Sequence, residues 1–291
     1  MDKLQLKAYG KINLGLDVIR KRPDGYHDLD MIMQMVDVYD DVIIEKKAGE
    51  EIVVKADAAV LSNGKDNLAY MAAKMLFDEF GIKSGVEITI HKRIPIAGGM
   101  AGGSSDCATT LIGINEMFNL GLSKQQLMGR GVKLGADVPY CIMRGTVLAE
   151  GIGEELSVLP AMPKCTVLIA KPPVSVSTKV VYEALDSEEI IEHPDIDALI
   201  EGLRQKDLHR ISENMGNVLE DVTIPMHPVI EELKQVMREN GAIGAMMSGS
   251  GPTVFGLFEN RAAAREAQRK IRESGLTKQV YVTNVHNVRR K

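Results

Sequence analysis

Along KINLGLDV, Ile12, Leu14, Leu16 and Val18 alternate with Lys11, Asn13, Gly15 and Asp17, the two-residue period of a half-buried strand. Lys11 and Asn13 therefore share one face. DVIIEKK from Asp41 and EIVVKA from Glu51, separated by AGE, predict a hairpin, and VEITIHK from Val86 predicts another alternating strand. Between them Leu68, Met71, Ala72, Met75 and Leu76 recur at helical spacing from about Asn67 to Phe80, where Gly81 can close the helix. Ala108, Leu111, Ile112, Asn115 and Phe118 predict a second helix beginning near Ser104 or Ser105. A third starts at Ser123, whose hydroxyl and Gln126 can form a capping box, and ends at Gly135, followed by a turn, GADVPY.

GTVLAEG from Gly145 reads as a strand, and SVLPAMP, Ser157 to Pro163, has the composition of a linker. The expected domains are 1–158 and 159–291. The second half opens on strand CTVLIAK from Cys165 and continues with helical runs from Ser177 and Ile196, from His209 to Asn217 and from Pro228 to Asn240. It closes with strand AIGAMM, loop SGSG, strand PTVFGLF, helix RAAAREAQRKIRE and strand QVYVTNV. Strands interleaved with helices predict an α+β fold with sheet covered on one face.

A length of 291 residues suits two domains. Thirty-five basic and forty acidic residues leave a net charge of -5, which offers no global attraction to nucleic acid or an anionic membrane. A polyphosphate ligand has to be held locally. No apolar run reaches the roughly 18 to 20 residues needed to span a bilayer, and MDKLQLKAYGKINL lacks a signal-peptide core; the expected location is cytoplasmic. Cys107, Cys141 and Cys165 form no C-x-x-C pair and the six histidines show no metal-binding spacing. Buried reduced thiols are expected.

PIAGGMAGGSSD, Pro95 to Asp106, holds four glycines and two alanines among twelve residues. Glycine lets backbone approach a ligand closely, and a helix N-terminus offers unpaired N–H groups and the positive end of the macrodipole. Strand, glycine loop and helix together make an anion cradle, with Ser104 and Ser105 placed to cap the helix and to touch phosphate oxygens or a Mg2+ ion. No lysine follows Gly103 as a P-loop requires, and Ala101 breaks the dinucleotide-binding spacing.

Together with MMSGSGPTVFG from Met246, this loop resembles the glycine signatures of the GHMP small-molecule kinases. KINLGLDVIRKRPDGYHDLDMIMQ, LGADVPY and the doubled glycine before SSD resemble one branch of that family. The resemblance implies a two-domain fold, N-terminal ribosomal protein S5 domain 2-like and C-terminal ferredoxin-like, with the active site in the cleft between them. It implies ATP-dependent phosphorylation, with Mg2+, of the 2-hydroxyl of a cytidine-diphosphate-linked methylerythritol in the mevalonate-independent route to isoprenoid precursors.

By position, the resemblance makes Asp137 the catalytic aspartate and Lys11 the catalytic lysine. A carboxylate that takes the proton of a tertiary alcohol contributes typically ~10^2 to 10^4 in rate. A neighbouring ammonium keeps it ionised and stabilises charge on the transferring group. The ATP phosphates are expected along Pro95, Ile96, Ala97, Gly98, Gly99, Met100, Ala101, Gly102, Gly103, Ser104 and Ser105, with Asn67 and Lys92 approaching the adenosine and Ser105 or Ser104 as candidate Mg2+ ligand. Asn67 is equally placed to be only the N-cap of its helix. Asn13, Tyr26 and His27 are the expected substrate contacts, Tyr26 stacking on cytosine and His27 hydrogen-bonding its edge. Tyr182 either stacks on the far side of the base or packs as a core-facing helix residue. SGSGPT, Ser248 to Thr253, either faces the substrate across the cleft or is a plain hairpin turn.

The family usually carries Pro-Ala where this chain has Tyr9 and Gly10 before Lys11. Two other readings compete: another GHMP kinase acting on mevalonate, homoserine or a sugar, for which Tyr26 and His27 have no use, and an ATP-binding sensor without turnover, which needs neither Lys11 nor Asp137.

Overall fold

The computed structural model describes residues 2–57, 64–187, 190 and 192–288. The alternation at Lys11 extends in both directions. Strand β1 runs Lys3–Lys21 and β2 runs His27–Lys47, joined by a turn in which Gly25 takes φ 87° and the Arg22 N–H donates to the Tyr26 carbonyl at 2.7 Å. DGYH thus forms the tip of a long hairpin.

Strand β3 (Ile52–Ala56), helix α1 (Leu68–Phe80) and strand β4 (Gly85–His91) follow. The hairpin expected between DVIIEKK and EIVVKA does not form. β4 inserts between the two runs, antiparallel to β2 and parallel to β3. The cause is the intervening helix: α1 buries Ala69, Ala72, Ala73, Leu76 and Phe77, and a strand–helix–strand unit covers the sheet with that face only if its strands lie parallel. Gly81 closes α1 at φ 59°, as expected.

Helix α2 spans Gly102–Met117, α3 Lys124–Gly131 and α4 Val138–Met143. The Ser123–Gln126 capping box is present. α3 ends before Gly135; the expected turn is present over Gly135 to Asp137, where the Val138 N–H donates to the Gly135 carbonyl at 3.1 Å, and VPY begins α4, because Pro139 sits in the first helical turn, where no N–H is required of it.

The chain continues with β5 (Thr146–Gly151), β6 (Glu155–Val158), β7 (Thr166–Lys171), α5 (Thr178–Leu185), α6 (Ile196–Gln205), α7 (Leu208–Glu213), β8 (Gly216–Asn217), α8 (Glu220–Met226), α9 (Val229–Glu239), β9 (Gly244–Met247), β10 (Val254–Phe258), α10 (Arg261–Ser274) and β11 (Gln279–Asn284). The helical run expected through Asn217 stops at Glu213, and Asn217 instead pairs with Leu16 in a short parallel ladder.

The chain forms two compact units. One comprises 1–10, 38–96 and 101–144; the other comprises 11–37, 97–100 and 145–291. In the first, α1 and α2 pack together beside the β3-β4-β2 ladder, with α3 and α4 following. The second contains an antiparallel sheet ordered β11-β7-β10-β9, whose strand β7 is buried throughout and is backed by α10. Its β5 pairs with Leu29 to Gln34 of β2 and with β6, so SV of the expected linker belongs to a strand.

All three cysteines are buried free thiols, and burial pushes Cys107 and Cys165 up to about 12, which leaves them without thiolate at neutral pH. Among the described residues no helix is long and apolar enough to cross a membrane.

Candidate active site

The glycine loop departs from ordinary backbone at three residues. Ala97, Gly99 and Ala101 have φ of 49°, 72° and 55°, a left-handed conformation that costs an alanine roughly 1 to 2 kcal/mol. Helix α2 then begins at Gly102, with Ala101 as an N-cap that offers no side-chain bond. Ser104 and Ser105 therefore sit inside its first turn rather than at the cap, and the leading N–H groups come from glycine. The Ser105 hydroxyl donates to the Tyr9 carbonyl at 2.7 Å. The Ser104 hydroxyl lies 3.8 Å from where a Cβ on Gly135 would be, beside the turn that carries Asp137.

A buried charge cluster ties the two ends of this loop together. Asp40 Oδ1 accepts the N–H groups of Arg93 and of Ile94, the latter at 2.8 Å, just before the loop. The Lys92 ammonium donates to Asp40 Oδ2 and, at 2.6 Å, to Asp106 Oδ2, just after it. Burial alone would lower the Lys92 ammonium, but the two carboxylates hold it above its usual value. Burial pushes the Asp106 carboxyl up to about 7, opposed by Lys92 and reinforced by Asp40. Lys92, expected at the adenosine, has a side chain only 6% exposed and is engaged with these two carboxylates. Asn67 caps α1, its side chain accepting the Ala69 N–H at 2.8 Å.

In the second unit, the Lys11 N–H donates to the Met100 carbonyl at 3.1 Å, so Gly10 before it does not detach the lysine from the loop. Its buried ammonium donates to Asn13 Oδ1 at 2.7 Å, the pairing that strand alternation predicts. SGSG packs against the same loop. Ser248 Oγ donates to the Gly99 carbonyl at 3.0 Å, and a Cβ on Gly99 would lie 2.0 Å from the Ser248 carbonyl oxygen. A Cβ on Gly249 would be 3.5 Å from Lys11 Nζ. Asn217 holds this loop by donating to the carbonyls of Met247 and Gly249 at 3.0 and 2.9 Å.

Asp137 sits at the N-cap of α4 and makes no side-chain capping bond, so its carboxylate is not consumed by the helix. At the hairpin tip Tyr26 is 59% exposed, while His27 is buried with its ring centroid 4.8 Å from that of Tyr182. Asp186 accepts from His27 Nε2 at 2.7 Å.

Asp40, Asp106, Asn217 and Asp186 are the residues that sequence reasoning missed. Asp106 stood inside the glycine signature; the other three reach their partners only through the fold.

The GHMP kinases N terminal domain model matches residues 67–145 and the GHMP kinases C terminal model matches residues 199–276. A protein of Lachnospira eligens named 4-diphosphocytidyl-2-C-methyl-D-erythritol kinase is 52% identical over 283 residues, covering 97% of this chain and 98% of the relative. The chain belongs to the GHMP kinase family. A Lachnoclostridium phytofermentans protein of the same name is also 52% identical, over 97% of each chain. A crystal structure of 4-(cytidine 5'-diphospho)-2C-methyl-D-erythritol kinase superimposes with a TM-score of 0.84 at 29% identity, covering 98% of this chain and 100% of that one. Like other GHMP kinases, the protein has the two-domain fold of the family and uses ATP.

Proposed function

We propose that this GHMP kinase transfers the γ-phosphoryl group of ATP to the 2-hydroxyl of 4-diphosphocytidyl-2-C-methyl-D-erythritol, a step in the mevalonate-independent route to isoprenoid precursors. The observation that carries this reading is near-full-length identity of 52% to relatives bearing that activity in their name.

In the proposed mechanism Asp137 accepts the proton of the attacking hydroxyl, and an unspent carboxylate at the start of α4 supports that role. Lys11 is oriented by Asn13, which leaves its remaining N–H groups for the transferring phosphoryl oxygens. Asn13, buried between Lys11 and Met31, is proposed to contact the substrate as well. The N–H groups of the loop from Pro95 to Ser105 hold the ATP phosphates, and the α2 macrodipole favours their charge. We retain Asn67 as a residue near the adenosine, its cap bond fixing where the first turn of α1 presents itself, and assign Lys92 to the shape of the loop rather than to direct contact.

Among the described residues no cluster of three His, Cys, Asp or Glu could hold a metal. The Ser104 and Ser105 hydroxyls in the first turn of α2 are hard oxygen donors that would suit a Mg2+ held mainly by phosphate oxygens and water. Ser104 or Ser105 would add one hydroxyl; Ser105 gives its proton to Tyr9, leaving lone pairs for the cation. When bound, Mg2+ neutralises charge on the phosphates.

Tyr26 and Tyr182 are proposed to flank the cytosine, with His27 at its edge. We place the domain boundary after residue 158, in the irregular stretch between β6 and β7, with the two matched family segments on either side of it.

Phosphorus NMR of the product tests the assignment. A new monoester on the 2-position, formed together with ADP, is expected; no monoester from folded protein, or one at another hydroxyl, overturns it.

A further inference from the structure

Asp186 sits at the C-cap of α5, where neither the helix nor the core needs a carboxylate. It nevertheless bonds both members of a pair from β1 and β2: Lys21 Nζ reaches Oδ2 at 2.5 Å, and His27 Nε2 reaches Oδ1 at 2.7 Å. The Lys21 hydrogen bond, then the His27 one, hold the Asp186 carboxyl below the usual carboxylate range. At neutral pH Asp186 is therefore an ion that can only accept. A neutral imidazole beside such an acceptor places its proton on the facing nitrogen and leaves the other as a bare acceptor.

We propose that Asp186 is a specificity-determining positioning residue: it fixes His27 as the Nε2–H tautomer, so that Nδ1 accepts a hydrogen bond from the exocyclic amino group of cytosine. The base contact rests on the function proposed above. The packing of the His27 ring against Tyr182, 4.8 Å between centroids and 31° between planes, holds the imidazole plane in the same place. Lys21 takes part through Asp186 rather than through the base. The chain of contacts Lys21, Asp186, His27 runs from a solvent-facing ammonium to a buried ring, with side-chain exposures of 56%, 21% and 9%. A nucleobase that presents an oxygen in place of the amino group would set two acceptors against each other, leaving a desolvated polar group without a partner.

Long-range proton–nitrogen correlation spectra of the labelled protein read the tautomer directly, and steady-state kinetics of Asp186→Ala read its consequence. The expected results are an Nε2-protonated neutral His27 in the wild type and a tautomer mixture in Asp186→Ala. The variant should also show a roughly tenfold rise in KM for the cytidine substrate, with kcat and the KM for ATP unchanged, and partial recovery in Asp186→Glu. An Nδ1-protonated wild-type ring, an unchanged KM for the cytidine substrate, or equal rises in both KM values overturn the proposal. A wild-type enzyme that leaves the cytidine substrate unphosphorylated refutes the proposed function instead, while the nitrogen shifts still decide the tautomer.

Discussion

Asp137 carries a carboxylate at the head of a six-residue helix that makes no use of it for capping. If it takes the hydroxyl proton, Asp137→Asn keeps the shape and removes the base, so turnover should fall by about 10^2- to 10^4-fold while calorimetric ATP affinity stays within about threefold of the parent, the scatter that local context allows. Retained turnover would remove Asp137 from the mechanism. The loop glycines separate in the same way. Gly99 has φ 72° and a Cβ there would meet the Ser248 carbonyl at 2.0 Å, whereas a Cβ on Gly103 meets only Leu68 at 3.7 Å. Gly99→Ala should therefore cost about 1 to 3 kcal/mol and Gly103→Ala little, as read from urea midpoints; equal midpoints would contradict the observed loop contact. Residue contacts with a local signature were legible before the fold. Lys11 and Asn13 followed from strand alternation and do meet at 2.7 Å, but the glycine pattern suggested ligand approach alone, when Gly99 is also required by a loop that lies some 149 positions away.

The proposed phosphate cradle is the strand–loop–helix segment from β4 to α2, whose flanking residues Asp40, Lys92 and Asp106 are bonded together. Two carboxylates share one ammonium there, and Asp106 has a folded pKa near 7 against a usual value of 3.8. A carboxyl raised on folding favours the folded state fully below about pH 4, and that contribution is lost as pH rises to about 7. Asp106→Asn removes this titration. The difference in melting temperature between variant and parent should thus move in favour of the variant from pH 5 to pH 8; a constant difference would show that Asp106 does not titrate in that range. Helices, and those of their ends marked by a local cap, were readable, since Gly81 and the Ser123 capping box act through neighbours in sequence. Strand pairing was not. The run at Glu51 looked like a hairpin partner for the run at Asp41, and only the demand of α1 for a sheet to cover places β4 between them. The buried triad was equally invisible, because Asp40 is 52 residues from Lys92.

For the whole molecule, a net charge of -5 gives no general attraction for a triply or quadruply charged nucleotide, so affinity has to be built locally, and the proposed sources are backbone N–H groups, the helix dipole and Lys11. Fold and family were legible because the order of the signatures along the chain was, from KINLGLDV through PIAGGMAGGSSD to SGSG, and those signatures are spread over most of its length. What that order did not reveal was the contact of Asp186 with His27, across 159 positions, on which the proposed base selectivity rests. The central claim is that the alcohol phosphorylated is borne by a cytidine diphosphate, and kcat/KM across a substrate panel with Mg-ATP tests it most directly. ADP release should be at least about 10^4-fold more efficient, the discrimination a hydrogen-bonding site gives, with the cytidine-diphosphate-linked methylerythritol than with mevalonate, homoserine or a hexose. Comparable or greater efficiency on any of the smaller alcohols would contradict it.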